Sequence, residues 1–492
     1  MFSSTEACQK RTKIADRAEF NRVFDVTTDR SAMTQNIRSH FAASPPARPS
    51  PPARRSSNTN VDSHPFASLR CSLANPIYQK IDVESVVNTF TYMFDRHSQG
   101  IYVSIRNSTV VRFSSFRNKS YRNPLGSTMR LSADHDGAQG LSRNPQFWSN
   151  FDCLVMGVAP SNNIKINDGY EPGYNYTETR TFVDLVCKTR VIADCDFFFN
   201  LWDQLLLRKD MCAPHLSITG GKKVPIPEYQ GKRMCPIVSF CGADDYLDLP
   251  FIFPDDVQRV MRTYFLPRCT NPYVNDGAYV TDWARKKPTA VFRGSATGCG
   301  WTVETNPRLA IVHASANAPA KYEGFLDAAL TGSHDARFKK HNADTTVRFF
   351  TDHRVVPHLQ SEKNRLSLVQ QSEYKYVLDI PGNVVAYRLP GMFGLGSVVM
   401  IVEHERYRPW IHPLLKSRSN CLVLKSPDLV MDAIQWCREN DASCKAIARR
   451  GLQLFKRAFC EEAMIDYVAL LCNSIAYNSD SVVDKLRHTQ TS

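Results

Sequence analysis

Residues 374–403 read YKYVLDIPGNVVAYRLPGMFGLGSVVMIVE and predict a complete strand–turn–helix–strand unit. YKYVLDI (374–380) predicts the first strand, and PGN (381–383) combines three residue types that favour turns. The next residues, VVAYRLPGMFG, predict a short helix, and GSVVMIVE (396–403) predicts the return strand. Two strands that are connected through a helix in this way are typical of an α/β fold with a mostly parallel sheet.

The same order of elements occurs upstream of this unit. TAVFRG (289–294) predicts a strand, and GSATGCG (294–300) predicts a flexible turn. TNPRLAIVHAS (305–315) predicts the start of a helix with Thr305 as its cap and a proline in the first turn.

Three helices are predicted downstream. SPDLVMDAIQWCREN (426–440) opens with a serine and a proline and repeats apolar residues at helical spacing. Further helical stretches cover 441–459 and 461–477 and end the folded region.

The first half predicts a hairpin and two buried strands. GIYVSIRNSTVVRFSSF (100–116) alternates apolar and polar residues around Asn107-Ser108, as a β-hairpin does. In VIADCDFFFNLWDQLLL (191–207), a continuous apolar run ends at Asn200, which is typical of a buried parallel strand with a functional loop at its carboxyl end. Another buried strand is predicted over 235–240, before the loop CGADDYLDLP.

With 492 residues and 55.7 kDa, the chain is longer than one hydrophobic core usually serves. We therefore expect an N-terminal domain over 65–285 and a C-terminal domain over 286–478, with tails at 1–64 and 479–492. The first tail contains SPPARPSPPARRSSNTN (44–60), which has almost nothing to bury and predicts a disordered spacer.

The charge balance favours anionic partners. The chain has 61 basic and 48 acidic residues, a formal net charge of +13. No long Lys/Arg block stands out, so an ordinary basic surface explains the charge at least as well as a nucleic-acid groove, and no nucleic-acid partner is expected.

The sequence gives no sign of membrane insertion or secretion. It has no transmembrane segment, since no apolar run approaches the roughly 18–20 residues that such a helix needs. The start, MFSSTEACQKRTK, has no apolar core of the kind that a secretory signal has. We therefore expect a cytoplasmic protein.

Metal sites and familiar nucleophile motifs are not expected. The 15 cysteines are an odd number and none is spaced as C-x-x-C, which favours reduced, buried thiols over disulfides or a zinc ribbon. The histidines have no H-E-x-x-H spacing, and no G-x-S-x-G turn is present.

The glycine-rich turn 294–300 is a candidate phosphate site. Its glycines let backbone N–H groups approach an anion, and the helix start that follows adds a partial positive charge. Ser295 and Thr297 can donate hydroxyl hydrogen bonds, and Arg308 can bind phosphate oxygens. The turn has no Gly-Lys-Ser/Thr spacing of a P-loop, and a purely structural tight loop is the commoner explanation.

Two further side chains follow predicted strands. Arg388 comes eight residues after the strand 374–380, on the side where open α/β sheets bind ligands, although a surface salt bridge is the alternative. Asp203 ends an apolar strand beside Trp202, which suits a general base that is partly shielded from water. Its alternative is a loop cap or an ion pair with Arg208 or Lys209.

Taken in their order along the chain, the motifs of this sequence resemble those of glycosyltransferase family 90. This family includes capsule-associated, lipopolysaccharide-modifying and protein O-glucosyl- and O-xylosyltransferases. The resemblance runs roughly over residues 100–477, and the G-C-G-W run after Thr297 is similar to the algal and large-DNA-virus branch. The motifs that carry it are CDFFFNLWDQ, DLPFIFPDD, VFRGSATG, TNPRL, YKYVLDIPGNVVAYRL and IQWCREND.

The resemblance implies a GT-B architecture, in which two Rossmann-like domains face each other across a cleft. It implies a donor such as UDP-glucose or UDP-xylose, a glycan or glycoprotein acceptor, inversion at the anomeric carbon, and no metal or other cofactor. The catalytic aspartate of its N-x-R-D motif falls on Asp203. The substrate-binding residues that it implies are Arg293, Gly294, Ser295, Thr297, Arg308, Gly382, Asn383, Tyr387 and Arg388.

Two positions depart from the family pattern and keep other functions open. Ala296 stands where many members have arginine, and Trp202 replaces the arginine of N-x-R-D. An inactive member that keeps the fold is therefore one alternative. A non-catalytic basic protein that binds nucleic acid or another partner is a second.

Overall fold

The computed structural model describes residues 30–42, 73–97, 99–118, 176–200, 203, 205–214, 223–265, 281–295, 297, 303, 306–331, 361, 364–382, 384–404 and 406–477. The α-helices within them are α1 (Arg30–Ala42), α2 (Val83–His97), α3 (Tyr176–Thr189), α4 (Pro254–Phe265), α5 (Pro307–Ala316), α6 (Leu368–Gln371), α7 (Leu389–Met392), α8 (Val430–Glu439), α9 (Asp441–Ala458) and α10 (Glu461–Ala476). The strands are β1 (Gln99–Arg106), β2 (Thr109–Arg117), β3 (Cys195–Phe199), β4 (Ile237–Ser239), β5 (Gly242–Ala243), β6 (Leu249–Pro250), β7 (Lys287–Gly294), β8 (Leu326–Leu330), β9 (Tyr374–Asp379), β10 (Val398–Val402), β11 (Tyr407–Arg408) and β12 (Leu422–Leu424).

The predicted hairpin is confirmed as β1 and β2. Its turn residues Asn107 and Ser108 have φ angles of 50° and 53°, the left-handed values that a two-residue hairpin turn requires. The Asp194 carboxylate accepts a hydrogen bond from the Asn107 backbone N–H at 2.8 Å, and the Ser108 hydroxyl donates to the Ile192 carbonyl at 3.0 Å. The hairpin is therefore fixed to the segment that leads into β3.

The first sheet has the strand order β2-β1-β3-β4-β6. β3, β4 and β6 are parallel, whereas β1 pairs antiparallel with both β2 and β3. All five residues of β3 are buried, as its uninterrupted apolar sequence predicts. The sheet is mixed because the hairpin adds two strands at one edge.

The second sheet is fully parallel and has the order β12-β10-β9-β7-β8. Every residue of the interior strand β10 is buried, and α8 and α9 follow β12 in the chain. The α/β class and the two-sheet, GT-B-like organisation are thus confirmed. We call the elements on the two sheets the first and the second unit.

Helix α5 begins one residue later than predicted. Its cap is Asn306, whose side-chain oxygen accepts hydrogen bonds from the backbone N–H groups of Arg308 at 2.9 Å and Leu309 at 3.2 Å. Pro307 occupies the first helical position, where its missing N–H has no cost. Thr305, the predicted cap, lies outside the described residues.

The last helix, α10, packs against the first sheet, although the sequence assigned it to the domain 286–478. Arg190, at the end of α3, forms an ion pair with Asp466 at 2.6 Å, and the Asn473 side chain accepts from the Ala193 backbone N–H at 2.8 Å. The chain therefore returns to the first unit at its end. Local periodicity predicted the helix but holds no information on its packing partner.

Part of the predicted tail 1–64 forms helix α1. Ile37 on this helix is 2% exposed, and Arg30 forms an ion pair with Asp95 of α2 at 3.2 Å. Residues 30–42 therefore depart from the expected disordered spacer. The Pro/Ser/Arg-rich stretch 44–60 and the tail 479–492 lie outside the described residues.

A small two-stranded sheet joins the two units. β5 and β11 pair antiparallel, with Tyr407 opposite Ala243 and Arg408 opposite Gly242. The loop after β4 is thereby tied to the loop after β10, so the carboxyl ends of the two sheets face each other. None of the helices described has both the length and the hydropathy that crossing a bilayer requires.

Candidate functional site

Asp203 lies in the loop after β3, and a buried carboxylate holds this loop in shape. Asp248 accepts hydrogen bonds from the backbone N–H groups of Leu206 at 2.9 Å and Leu207 at 2.8 Å, and from the Ser239 hydroxyl at 2.7 Å. Burial raises the pKa of Asp248 to about 6, against the effect of these hydrogen bonds. No local pattern predicted this support, because Asp248 lies about forty residues along the chain from the loop that it orders.

The alternatives for Asp203 were a cap or an ion pair with Arg208 or Lys209. Arg208 pairs instead with Asp210 and Asp245, each at 2.8 Å. Trp202 lies outside the described residues.

Arg308 joins the carboxyl ends of β7 and β9. Its Nη1 donates to the Ser295 carbonyl at 2.8 Å and to the Thr297 hydroxyl at 2.7 Å. Its Nε donates to the Pro381 carbonyl at 3.1 Å, and its Nη2 donates to the Ile380 carbonyl at 3.0 Å. Ser295 and Thr297 of the predicted glycine-rich turn are therefore linked to the turn after β9 through the Arg308 guanidinium.

This guanidinium is buried, since Arg308 is 6% exposed. Burial, together with the charge of Arg388, lowers its pKa to about 9, which leaves it protonated at pH 7. Asp379, at the end of β9, is 4% exposed, and burial raises its pKa to about 6 although Arg388 and Arg308 oppose this. Arg308 thus adds positive charge at this edge, and most of its N–H groups contact the protein itself.

Two predicted glycines make room for the arginines. A Cβ atom on Gly382 would lie 3.0 Å from both Arg308 Nη2 and the Thr297 hydroxyl. A Cβ atom on Gly294 would lie 3.3 Å from Arg388 Nη1 and 3.0 Å from the Phe292 ring. A side chain at either position would therefore be in tighter than ordinary contact with a guanidinium group.

Arg388 follows the turn after β9 and reaches back to β7. Its Nη1 donates to the Arg293 carbonyl, and its guanidinium carbon lies 5.3 Å from the centre of the Phe292 ring. The guanidinium carbon of Arg308 lies 6.0 Å from the same ring. A ring face that attracts cations therefore helps to hold two arginines close together at the carboxyl edge of the second sheet.

Arg293, for which the resemblance implies a substrate-binding role, contacts the neighbouring strand β8. Its guanidinium forms an ion pair with Asp327 of β8 at 2.7 Å, and the Tyr374 hydroxyl donates to the same carboxylate at 2.6 Å. Side chains alternate along a strand, so Arg293 points to the face opposite Phe292. Its backbone carbonyl accepts a hydrogen bond from Arg388.

Tyr387, which the resemblance implies as a substrate-binding residue, reaches the first unit. Its hydroxyl donates to Oδ1 of Asp203. Its ring centre lies 5.6 Å from that of Phe240 and 5.1 Å from that of Phe253. Asn383, Ala296 and residues 298–300 lie outside the described residues.

A cavity of about 310 Å³ opens at the carboxyl ends of β9, β10 and β12. Apolar side chains such as Val385, Leu389 and Val423 line part of it. Its charged and titratable lining residues are Asp379, Glu403, His404, Arg408, His412 and Lys425. No motif predicted a role for the last five, although the position of Glu403 at the end of a predicted strand was a usable signal.

The polar groups of the cavity are held in fixed places. Glu403 pairs with Lys425 and lies 3.8 Å from His412. Nδ1 of His404 accepts from the backbone N–H groups of Arg406 at 3.0 Å and Tyr407 at 3.1 Å. Burial lowers the pKa of His404 to about 3, helped by Arg406 and Arg408, so this ring is neutral at pH 7.

The family model for glycosyl transferase family 90 matches residues 180–479. The chain belongs to this family. Within the described ranges, no group of three or more His, Cys, Asp or Glu side chains is placed to hold a metal ion.

Its relatives include viral and animal proteins. Uncharacterized protein 035R of Invertebrate iridescent virus 3 is 29% identical over 430 residues, which cover 81% of this chain and 37% of that protein. Human protein O-glucosyltransferase 3 is 26% identical over 297 residues, which cover 57% of this chain and 47% of that protein. The matches thus span less than half the length of either relative.

Among solved structures, Anabaena Alr3699/HepE in complex with UDP-glucose is similar, with 12% sequence identity and a TM-score of 0.28. The match covers 56% of this chain and 64% of that chain. At this TM-score the likeness supports no conclusion.

Proposed function

We propose that this protein transfers a sugar from a UDP-sugar to an acceptor hydroxyl, with inversion at the anomeric carbon. Membership of family 90 supports transfer of a glycosyl group. The observation that carries the assignment is the contact between Tyr387 and Asp203. Through this contact, the carboxylate of the first unit lies beside the loop of the second unit that supplies Arg388.

The donor binds at the carboxyl edge of the second sheet. The cavity of about 310 Å³ is the site for the nucleoside, and Asp379 and Pro381 connect its lining to the two arginines. The diphosphate lies near Arg388 and Arg308, whose charges are concentrated in a partly buried site and therefore act strongly on an anion. In this proposal, the arginines provide the positive charge and no metal ion is needed.

Asp203 is the general base of the transfer. The acceptor oxygen attacks the anomeric carbon and forms the new glycosidic bond, while the bond from that carbon to the β-phosphate oxygen breaks. The electron pair of this bond leaves with UDP, and the acceptor proton moves to Asp203. General-base help of this kind is worth about 10²–10⁴ in rate. Positive charge near the β-phosphate stabilises the leaving group.

The donor sugar is glucose or xylose, and the acceptor is a hydroxyl of a glycan or a glycoprotein. The name of the human relative, a protein O-glucosyltransferase, favours glucose and a protein acceptor. Xylose differs by one hydroxymethyl group, so a panel of both donors is the direct way to decide.

The test is a binding and turnover measurement on the purified chain. Thermal stabilisation by UDP, UDP-glucose and UDP-xylose measures donor binding, and UDP release with water as the acceptor measures turnover. We expect stabilisation by UDP and slow UDP release from one donor sugar. Stabilisation with no release from either donor would indicate an inactive member. Steep salt-dependent binding to a polynucleotide, with no response to UDP, would favour a basic binding protein.

A further inference from the structure

One hydrogen bond crosses between the two units at the proposed reaction centre. The Tyr387 hydroxyl donates to Oδ1 of Asp203, and the two residues are 184 positions apart. Tyr387 belongs to the turn after β9, while Asp203 belongs to the loop after β3. This contact depends entirely on how the two sheets face each other.

The first unit holds the ring of Tyr387 tightly. Phe240 and Phe253 both lie in contact distance, with ring centres 5.6 Å and 5.1 Å away. Both phenylalanines are 1% exposed or less. A tyrosine side chain has only two torsions before its hydroxyl, so packing of the ring fixes the position of the oxygen.

The chemistry of the pair makes Tyr387 a permanent donor. Burial and the nearby Asp203 carboxylate raise the pKa of Tyr387 well above its ordinary value. The phenol therefore stays protonated at neutral pH and keeps its proton directed at the carboxylate. A carboxylate accepts about four hydrogen bonds, so Asp203 can hold Tyr387 and still receive a proton from an acceptor.

The neighbouring residue links this contact to the donor side. Arg388 directly follows Tyr387, and its guanidinium is anchored to the Arg293 carbonyl. Two consecutive residues thus have different partners. Tyr387 fixes the carboxylate of Asp203, and Arg388 is a proposed phosphate-binding group. The distance between base and leaving group is set by these two residues.

We propose that Tyr387 is a positioning residue for the reaction, acting through Asp203 and not through the nucleotide. The inference rests on the proposed function, in which Asp203 is the base. The Tyr387 hydroxyl orients the Asp203 carboxylate toward the acceptor, while the Tyr387 ring closes the contact between the two units. Tyr387→Phe keeps the ring and removes only the hydroxyl, so the packing with Phe240 and Phe253 is preserved.

The kinetic test compares Tyr387→Phe, Asp203→Asn and the double variant in UDP release from UDP-glucose and UDP-xylose. We expect Tyr387→Phe to lower kcat roughly 10- to 100-fold, the scale on which misplaced catalytic groups act. KM for the donor and Kd for UDP should stay within about twofold, and the double variant should be no slower than Asp203→Asn. Tyr176→Phe is the control. It also removes a tyrosine hydroxyl, but this hydroxyl donates at 2.7 Å to the carbonyl of Phe113, on the edge strand β2.

A kinetic result that differs from these expectations overturns the inference. An unchanged kcat would show that the hydroxyl has no role, and weaker UDP binding with unchanged kcat would assign Tyr387 to the donor pocket. Losses that multiply in the double variant would show that Tyr387 does not act through Asp203. Wild-type turnover in Asp203→Asn would instead refute the base of the proposed function, and no UDP binding at all would refute that function as a whole.

A spectroscopic arm tests the contact without turnover. In protein labelled with ¹³C at the tyrosine Cζ, the Tyr387 resonance is the one of 19 that disappears in Tyr387→Phe. We expect Asp203→Asn to shift this resonance and leave that of Tyr176 in place. An unshifted Tyr387 resonance would overturn the inference even if the protein proves to be an active transferase.

Discussion

Arg308, at the start of α5, donates a hydrogen bond at 2.7 Å to the hydroxyl of Thr297 in the glycine-rich turn that precedes this helix. The same guanidinium donates to the carbonyls of Ile380 and Pro381, which directly follow the neighbouring strand β9. Two residues of the candidate phosphate site, Ser295 and Thr297, are therefore bound by an arginine that is itself buried in protein. This arrangement makes the site sensitive to small changes in volume.

Gly382→Ala should disturb this arrangement. The added Cβ would lie 3.0 Å from both Arg308 Nη2 and the Thr297 hydroxyl, closer than ordinary contact. Overpacking of this kind costs about 1–3 kcal/mol, so we expect a lower unfolding midpoint and weaker UDP binding. Gly242→Ala is the matched control, since its Cβ would meet Pro250 at an ordinary 3.6 Å. Equal midpoints for the two variants in thermal unfolding would contradict this account of Gly382.

Arg388→Ala should weaken UDP binding. Hydrogen bonds to charged groups contribute about 1.5–3 kcal/mol each, which corresponds to roughly a 10- to 100-fold rise in Kd by calorimetry. Arg293→Ala is the control, because this guanidinium is paired with Asp327 on the neighbouring strand. It should lower the unfolding midpoint and leave UDP affinity nearly unchanged. If Arg293→Ala weakened UDP binding as much as Arg388→Ala does, Arg293 would belong to the donor site after all.

His404 should make the stability depend on pH. Its pKa is about 3 in the folded protein and about 6.5 when unfolded, so between these values the unfolded chain binds more protons. Its contribution to the free energy of unfolding is fully present above pH 6.5 and is lost as the pH falls toward 3. Asp248 and Asp379, whose pKa values are raised to about 6, act in the opposite direction between about pH 4 and 6.

Denaturant unfolding of wild type and His404→Asn from pH 4 to 7 isolates this contribution. Asparagine can accept the same backbone hydrogen bonds but does not titrate in this range. The stability difference between the two proteins should shrink as the pH falls below 6.5. A difference that is the same at pH 4 and pH 7 would show that His404 is not held neutral by its surroundings.

Most of the fold could be predicted because its signals are local. The alternation around Asn107-Ser108 predicted the hairpin, and the apolar run that ends at Asn200 predicted a buried strand. The cap of α5 was placed one residue early because both Thr305 and Asn306 suit that position by residue type. The choice between them depends on backbone geometry, which the sequence pattern does not contain.

The residues of the candidate site could be predicted more fully than the contacts between them. The sequence correctly brought Arg308, Ser295 and Thr297 together, since a turn and the helix after it are neighbours. It did not predict the protein partners of Arg293 and Tyr387, because these lie on another strand and in the other unit. Contacts of this kind arise from packing between sheets, which periodicity and spacing do not predict.

The rate of UDP release by Asp203→Asn, measured beside wild type with UDP-glucose and UDP-xylose, tests the proposed mechanism most directly. The substitution keeps the size of the side chain and removes its ability to take a proton. We expect turnover to fall by about 10²–10⁴, while Kd for UDP changes less than about twofold. Asp244→Asn, at an exposed position in the nearby loop, should keep the wild-type rate. Wild-type turnover in Asp203→Asn would contradict the assignment of Asp203 as the base.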